Sequence, residues 1–209
     1  MKFLLAIISI TLFTSCKTDT NGSITSDNIL LQEGDIIFQT SESEQSKAIQ
    51  LATNSPYSHC GIIFKQDTSY YVYEAIQPVT KTLLKEWIKR GKDNHYVIKR
   101  LINADNVLTD EALLRMRETG KAMSGKDYDL YFEWNNDKIY CSELVWKIYK
   151  EGTGLEIGKT QQLKDFSLSN SIVQQKLKER FGENIPLNEK VISPAAIFNS
   201  SLLYTVYEN

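Results

Sequence analysis

The apolar positions of this chain fall into short runs and helical stripes separated by polar turns. Residues 34–39 (GDIIFQ), 58–65 (SHCGIIFK), 70–77 (YYVYEAIQ) and 95–102 (HYVIKRLI) are compact apolar runs, and each predicts a strand. The polar segment 66–69 joins the second and third runs into a hairpin, with Lys65 opposite Tyr70 and Gly61 opposite Glu74. Other stretches keep helical spacing. Residues 43–53 carry Ala48, Ile49, Leu51 and Ala52, and residues 80–90, with Thr80 as cap, carry Leu83, Leu84, Trp87 and Ile88. Residues 109–123 open on a Thr cap and two acids, with Leu113, Leu114 and Met116 inward. A strong helix starts near Cys141 in 139–150 and closes at Gly152 and Gly154, 169–181 is a charged amphipathic helix, and 191–206 ends on a strand-like LLYTV. Strands gather before residue 102 and again at the end, with helices around and between them, and no repeat is visible. That order predicts an α+β fold rather than regular βαβ alternation.

Residues 1–15 (MKFLLAIISITLFTS) lie outside that pattern: a charged start, a short apolar run and small hydroxyl residues, the layout of a secretory signal. The run is shorter than the roughly 20 apolar residues of a membrane-spanning helix. The segment LFTSC resembles a bacterial lipoprotein lipobox, with Phe13 where Leu is usual, and this implies that Cys16 is acylated and becomes the mature N-terminus. The other reading of the same residues is a cleaved signal with an incidental Cys. Residues 17–28 (KTDTNGSITSDN) are polar and aperiodic, as in a tether. The expected organisation is therefore a signal over 1–15, a lipidated Cys and tether over 16–28, and one domain over 29–209. The expected location is the bacterial cell envelope, held to a membrane through Cys16.

Composition narrows the function classes. With 42% apolar and 24% charged residues, the 209-residue chain can bury one sizeable core. A net charge of -2 without a basic run speaks against nucleic acid as a partner. Three scattered Cys and two His suit neither a disulfide scaffold nor a structural zinc site, so no metal or cofactor is expected.

The chemistry-bearing residues are few. Cys141 stands at the start of a predicted helix, where the positive end of the backbone dipole stabilises a thiolate and free N–H groups can hold an oxyanion. A buried, inert thiol would occupy the same place. On the strand 58–65, His59 and Gly61 share one face and Cys60 the other, so Cys60 is expected to be a packed core thiol that forms no disulfide with Cys141. The hairpin register sets Glu74 diagonally beside His59. Singly, each of these residues has a structural reading; together they supply a nucleophile, a base and an orienting carboxylate. The acids Asp127, Asp129, Glu133 and Asp137 read as a solvated loop, with Tyr128, Tyr131, Phe132 and Trp134 packed beneath it or lining an apolar groove. Glu143 reads as a first-turn acid complementing the helix dipole, and residues 161–186 could cover the site.

The ordered set GDIIF (34–38), SHCGIIF (58–64), YVYEA (71–75), LKEWIKRG (84–91), YDLYFEWNNDKIYCSELVWKIY (128–149) and SPAAIF (193–198) resembles the YiiX-like permuted papain-fold amidases, relatives of the NlpC-type cell-wall peptidases. The resemblance spans roughly residues 30–206. It implies a circularly permuted papain-like fold, with an antiparallel barrel-like sheet packed on a Cys-bearing helix. It also implies Cys141 as nucleophile, His59 as base, Glu74 as the residue that orients it, and Tyr140 beside the oxyanion site. The implied activity is a lipid-anchored cysteine hydrolase that cleaves an amide through a Cys thioester. The implied substrates are cell-wall peptides, acylated amines or lipid amides. Two rivals stay open: a thioester acyltransferase, and a non-catalytic lipoprotein that binds a peptide or lipid in the same groove.

Overall fold

The computed structural model describes residues 31–209. The signal over 1–15, Cys16 and the tether up to residue 28 lie outside the described residues.

The pattern of short apolar runs becomes one sheet. Strands β1 (Ile36–Gln39), β2 (His59–Gln66), β3 (Ser69–Glu74), β4 (Thr80–Leu83), β5 (Val97–Leu101) and β8 (Leu203–Glu208) align in the order β4-β3-β2-β1-β5-β8, every neighbouring pair antiparallel. All four residues of β1 are buried, because both faces of the sheet are covered. Ile36, Phe38, Cys60, Ile62 and Phe64 pack into one core, while Ile37, Ile63, Val72, Trp87 and Ile98 form the second on the opposite face. A buried bidentate ion pair, Arg100 Nε to Asp35 Oδ1 at 2.6 Å and Nη2 to Oδ2 at 2.8 Å, ties β5 to the start of β1. The bidentate geometry satisfies both carboxylate oxygens where water is excluded.

The larger core is closed by α4 (Asp110–Met123) and α5 (Cys141–Thr153), which pack on each other. Thr109 caps α4 by accepting from Ala112 N, and α5 ends at Gly154, whose φ of +80° suits a residue without Cβ. Helix α1 (Glu44–Thr53), capped by Ser43, packs against α6 (Ser171–Phe181), capped by Asn170. The short helices α2 (Leu84–Lys89), α3 (Ala104–Val107) and α7 (Pro194–Phe198) fill the corners, and β6 (Gln161–Gln162) pairs with β7 (Lys190–Val191) in a small second sheet.

The structure departs from the sequence pattern in two places. Residues 80–90 are not one helix. Thr80 and Thr82 are β-branched and extend as β4 along β3, so the helix begins only at Leu84. The acidic stretch is not uniformly solvated: Asp129 is buried, because its carboxylate accepts from the backbone N–H groups of Tyr131 at 2.8 Å and Glu133 at 2.6 Å. That ties the loop down over the core.

Candidate active site

Helix α5 begins at Cys141 itself, with Tyr140 as the residue before the first turn. Its first intrahelical rung runs from Leu144 N to Tyr140 O at 2.9 Å, so the N–H groups of Cys141, Ser142 and Glu143 precede the ladder. The Tyr140 N–H points instead to Glu143 Oε2 at 3.4 Å, and its hydroxyl accepts from Ile192 N at 3.1 Å. Tyr140 is thus a buried strut holding the helix start against the chain before α7. Glu143 is fully buried with Lys147 Nζ 2.6 Å from Oε1, an ion pair that is not aligned as a hydrogen bond. Burial pushes its carboxyl up to about 7, against the pull of Lys147. It is a buried group rather than a simple surface partner of the dipole.

The antiparallel hairpin brings the other two residues to the same end of the sheet. Its register pairs Lys65 with Tyr70 and Ile62 with Tyr73, so His59, where β2 begins, lies near Glu74, where β3 ends. His59 Nε2 sits 2.7 Å from Glu74 Oε2. Glu74 is fully buried, and its other oxygen accepts from Thr82 Oγ1 at 2.5 Å and from the Arg90 guanidinium. Burial alone would raise this carboxyl; His59, Thr82 and Arg90 together hold it below its usual range. The imidazole is stacked on Trp87, with ring centroids 5.8 Å apart and planes at 22°. One nitrogen, Nε2, is taken by Glu74, which leaves Nδ1 as the nitrogen open to another partner.

Burial disfavours a charged His59, but hydrogen bonding to Cys141 and Glu74 as acceptors outweighs it and lifts its pKa to about 9. The Cys141 thiol moves the other way. A hydrogen bond from the Cys60 thiol, and then His59, hold it well below the usual range despite burial. Both shifts favour the thiolate–imidazolium form of the pair.

Cys60 corrects the strand-alternation argument. Both thiols are free, as expected, yet Cys60 is not kept apart from Cys141; it contacts it from the larger core. Alternation does place Cys60 and His59 on opposite faces. The sheet that separates those faces ends at His59, the first residue of β2. Burial, and then the neighbouring Cys141, push the Cys60 thiol well above its normal value, so it stays a neutral donor.

Two clefts meet here. One, with about 700 Å³ of empty space including its mouth, runs from Cys141 between α1 and α6. The segment 161–186 supplies one wall through Leu163, Phe166, Leu168 and Val173. Tyr128 and Phe132 line it too, whereas Trp134 packs on Trp146 and Tyr131 is exposed against Phe181. The second cleft lies on the His59 side of Tyr128. His95 bonds the Asn209 carbonyl and has no part in either.

A family model described as permuted papain-like amidase, YaeF/YiiX, C92 family, matches residues 30–207. The chain belongs to the permuted papain-like amidases. It is 49% identical over 175 residues to the uncharacterized protein YiiX of Escherichia coli strain K12, covering 84% of this chain and 85% of that one. A crystal structure titled as metalloprotein yiiX from Escherichia coli O157:H7 superposes with a TM-score of 0.81 at 49% identity, covering 85% of this chain and 97% of that one. The permuted papain-like assignment agrees with the α+β architecture, an antiparallel sheet on a Cys-bearing helix. Sequence reasoning missed Thr82, Arg90, Trp87 and the Cys60 contact. The only signal for Thr82 was the alternating TKTL that forms β4; the other three depend on contacts between segments distant in sequence.

Proposed function

We propose that this protein is a cysteine amidase of the cell envelope, exported by residues 1–15 and anchored through an acylated Cys16. Cys141 is its nucleophile, His59 its acid–base and Glu74 the orienting residue. The observation that carries this reading is the 2.7 Å pair of Glu74 with His59, together with buried Cys141 at the start of α5, whose thiol and the His59 imidazole shift each other's proton affinity. The Cys141 thiolate attacks an amide carbonyl, and the N–H groups at the helix start stabilise the oxyanion. The C–N bond then breaks as the His59 imidazolium gives its proton to the leaving amine, and the acyl group stays on sulfur as a thioester. Neutral His59 next takes a proton from water as its oxygen attacks the thioester. The carboxylic acid leaves, and the thiolate–imidazolium pair is restored.

The solved relative is described as a metalloprotein. Here His59 Nε2 is engaged by Glu74, and among the described residues no group of three or more His, Cys, Asp or Glu side chains is placed to hold a metal ion. The residues do not fit one, and no step is routed through it. Incubation of the mature protein with N-acyl amides, followed by intact mass, tests the reading. An acyl adduct of wild type that is absent from Cys141→Ala supports it. Equal amide cleavage by both proteins would overturn it.

A further inference from the structure

Among the described residues two thiols are free, Cys60 and Cys141, and both are buried. The mechanism uses only Cys141. Cys60, on β2, and Cys141, at the start of α5, belong to the same core, where α5 packs on the sheet, and the Cys60 thiol donates to the Cys141 sulfur. A thiol packed there as a small apolar side chain would need no such partner. The contact has a chemical consequence. A sulfenic acid on one cysteine condenses with a thiol within reach to give a disulfide, and without one it goes on to the irreversible sulfinic acid.

The two sulfurs differ in access and in charge. Cys141 borders open space and Cys60 does not; Cys60 is fully buried. Cys141 is held toward the thiolate, whereas burial keeps Cys60 protonated. The thiolate is the form that peroxides oxidise. A small peroxide therefore meets Cys141 first, and Cys60 reacts only with what has formed on Cys141.

We propose that Cys141 and Cys60 are a reversible redox pair, in which a hydroperoxide oxidises Cys141 and Cys60 resolves it as an intramolecular disulfide. In the first step the Cys141 sulfur attacks a peroxide oxygen and the O–O bond breaks. The sulfur gives two electrons to the peroxide and becomes a sulfenic acid, and the departing hydroxide takes the His59 proton and leaves as water. In the second step the Cys60 sulfur attacks the Cys141 sulfur and the S–O bond breaks. The Cys60 proton leaves with that hydroxide, again as water, and the sulfurs close to about 2 Å. In the disulfide there is no thiolate to take an acyl group and no sulfenic acid to oxidise further. A dithiol reverses the bond by exchange, giving back both thiols as it becomes a disulfide itself. This goes beyond the amidase reading and requires the reactive thiolate, not the amide substrate.

The test keeps the two readings apart. In the mature chain carrying Cys16→Ser, Cys60 and Cys141 are the remaining thiols. Iodoacetamide labelling of the reduced protein first measures whether Cys141 is a reactive thiolate; equal labelling of Cys141→Ala overturns the amidase reading and this one with it. Hydrogen peroxide is then added in slight excess and the protein is digested without reductant. The expected result is a peptide joining Cys60 to Cys141 within one chain, an intact mass lower by two hydrogen atoms, and nearly full labelling after dithiothreitol. Cys60→Ser keeps a hydroxyl donor beside Cys141 but cannot form the bond. It should give a dimedone-reactive sulfenic acid and then sulfinic acid, with less than about a tenth of the labelling recovered. Circular dichroism checks that this variant is folded, and the peptide map of the Cys60-containing chain decides without it. A reactive Cys141 that peroxide carries to sulfenic or sulfinic acid with no link to Cys60 overturns the redox pair and leaves the amidase reading standing. A link found only between chains, or equal recovery in folded Cys60→Ser, does the same.

Discussion

At the scale of single residues the proposed mechanism makes the site a proton circuit, and each member should fail in its own way. Cys141→Ala removes the sulfur that holds the acyl group and should abolish turnover. His59→Ala removes both the charge that stabilises the thiolate and the acid for amine departure, a loss of about 10²–10⁴-fold. Glu74→Gln keeps a hydrogen bond to Nε2 but not the charge that supports the imidazolium, and about 10–100-fold is expected. Steady-state rates on folded variants, checked by circular dichroism, measure the order; a Glu74→Gln rate equal to wild type would remove Glu74 from the circuit. The same pair sets the pH profile. Cys141 is depressed and His59 raised to about 9, so both are charged across the neutral range. Amide turnover should fall as pH rises through about 9, because the imidazolium loses the proton it must donate. Iodoacetamide alkylation needs only the thiolate and should persist there. Parallel alkaline losses in both assays would show that His59 is not the acid. The nearness of His59 to Glu74 and the place of Cys141 at a helix start could be read from the sequence, because each follows from a local element. The Cys60 contact could not, since it depends on where the sheet ends.

At the scale of elements, the site depends on how closely β2 and β3 approach. Gly61 is the residue that permits this: a Cβ there would fall 2.4 Å from Val72 Cγ1 and 2.6 Å from the Tyr73 carbonyl oxygen. The carbonyl is backbone and cannot swing aside, so Gly61→Ala must push the strands apart. A destabilisation of about 1–3 kcal/mol is expected in urea unfolding. The larger effect should be on turnover, because the separation falls between His59 and Glu74. A variant with wild-type stability and rate would show that the hairpin does not set this geometry. The hairpin could be read from its alternation and its short polar turn, and the structure keeps Lys65 opposite Tyr70. Residues 80–90 could not be read in the same way. Trp87 and Ile88 keep helical spacing and do lie in a helix, but Thr80 and Thr82 are drawn into the sheet by pairing with β3. Local propensity was indecisive there, and the exposed edge of β3 decided it.

At the scale of the whole molecule, the described residues form a domain with two cores. The cores, the site and both clefts are built from residues 31–209, and among these no helix is long and apolar enough to cross a membrane. The fold class could be read from the order of strands and helices. The docking of α6 on α1 could not, because α6 is charged along much of its length and little of it is buried. Cys16 is the residue we propose for membrane attachment. A single acyl chain holds a protein only marginally, while two or more hold it stably, so the anchor should be all or none with respect to Cys16. Cys16→Ser should move the protein from the membrane pellet to the soluble fraction of cells that export it. The thermal midpoint of the domain should shift by less than about 1 °C, because residues 16–28 are proposed to act as a tether. The rate of Cys141 alkylation should likewise stay at the wild-type value. Mass spectrometry of the mature N-terminus decides the chemistry: a diacyl or triacyl Cys16 is expected. An unmodified Cys16, or a wild-type distribution for Cys16→Ser, would place the attachment elsewhere and leave the amidase domain as it stands.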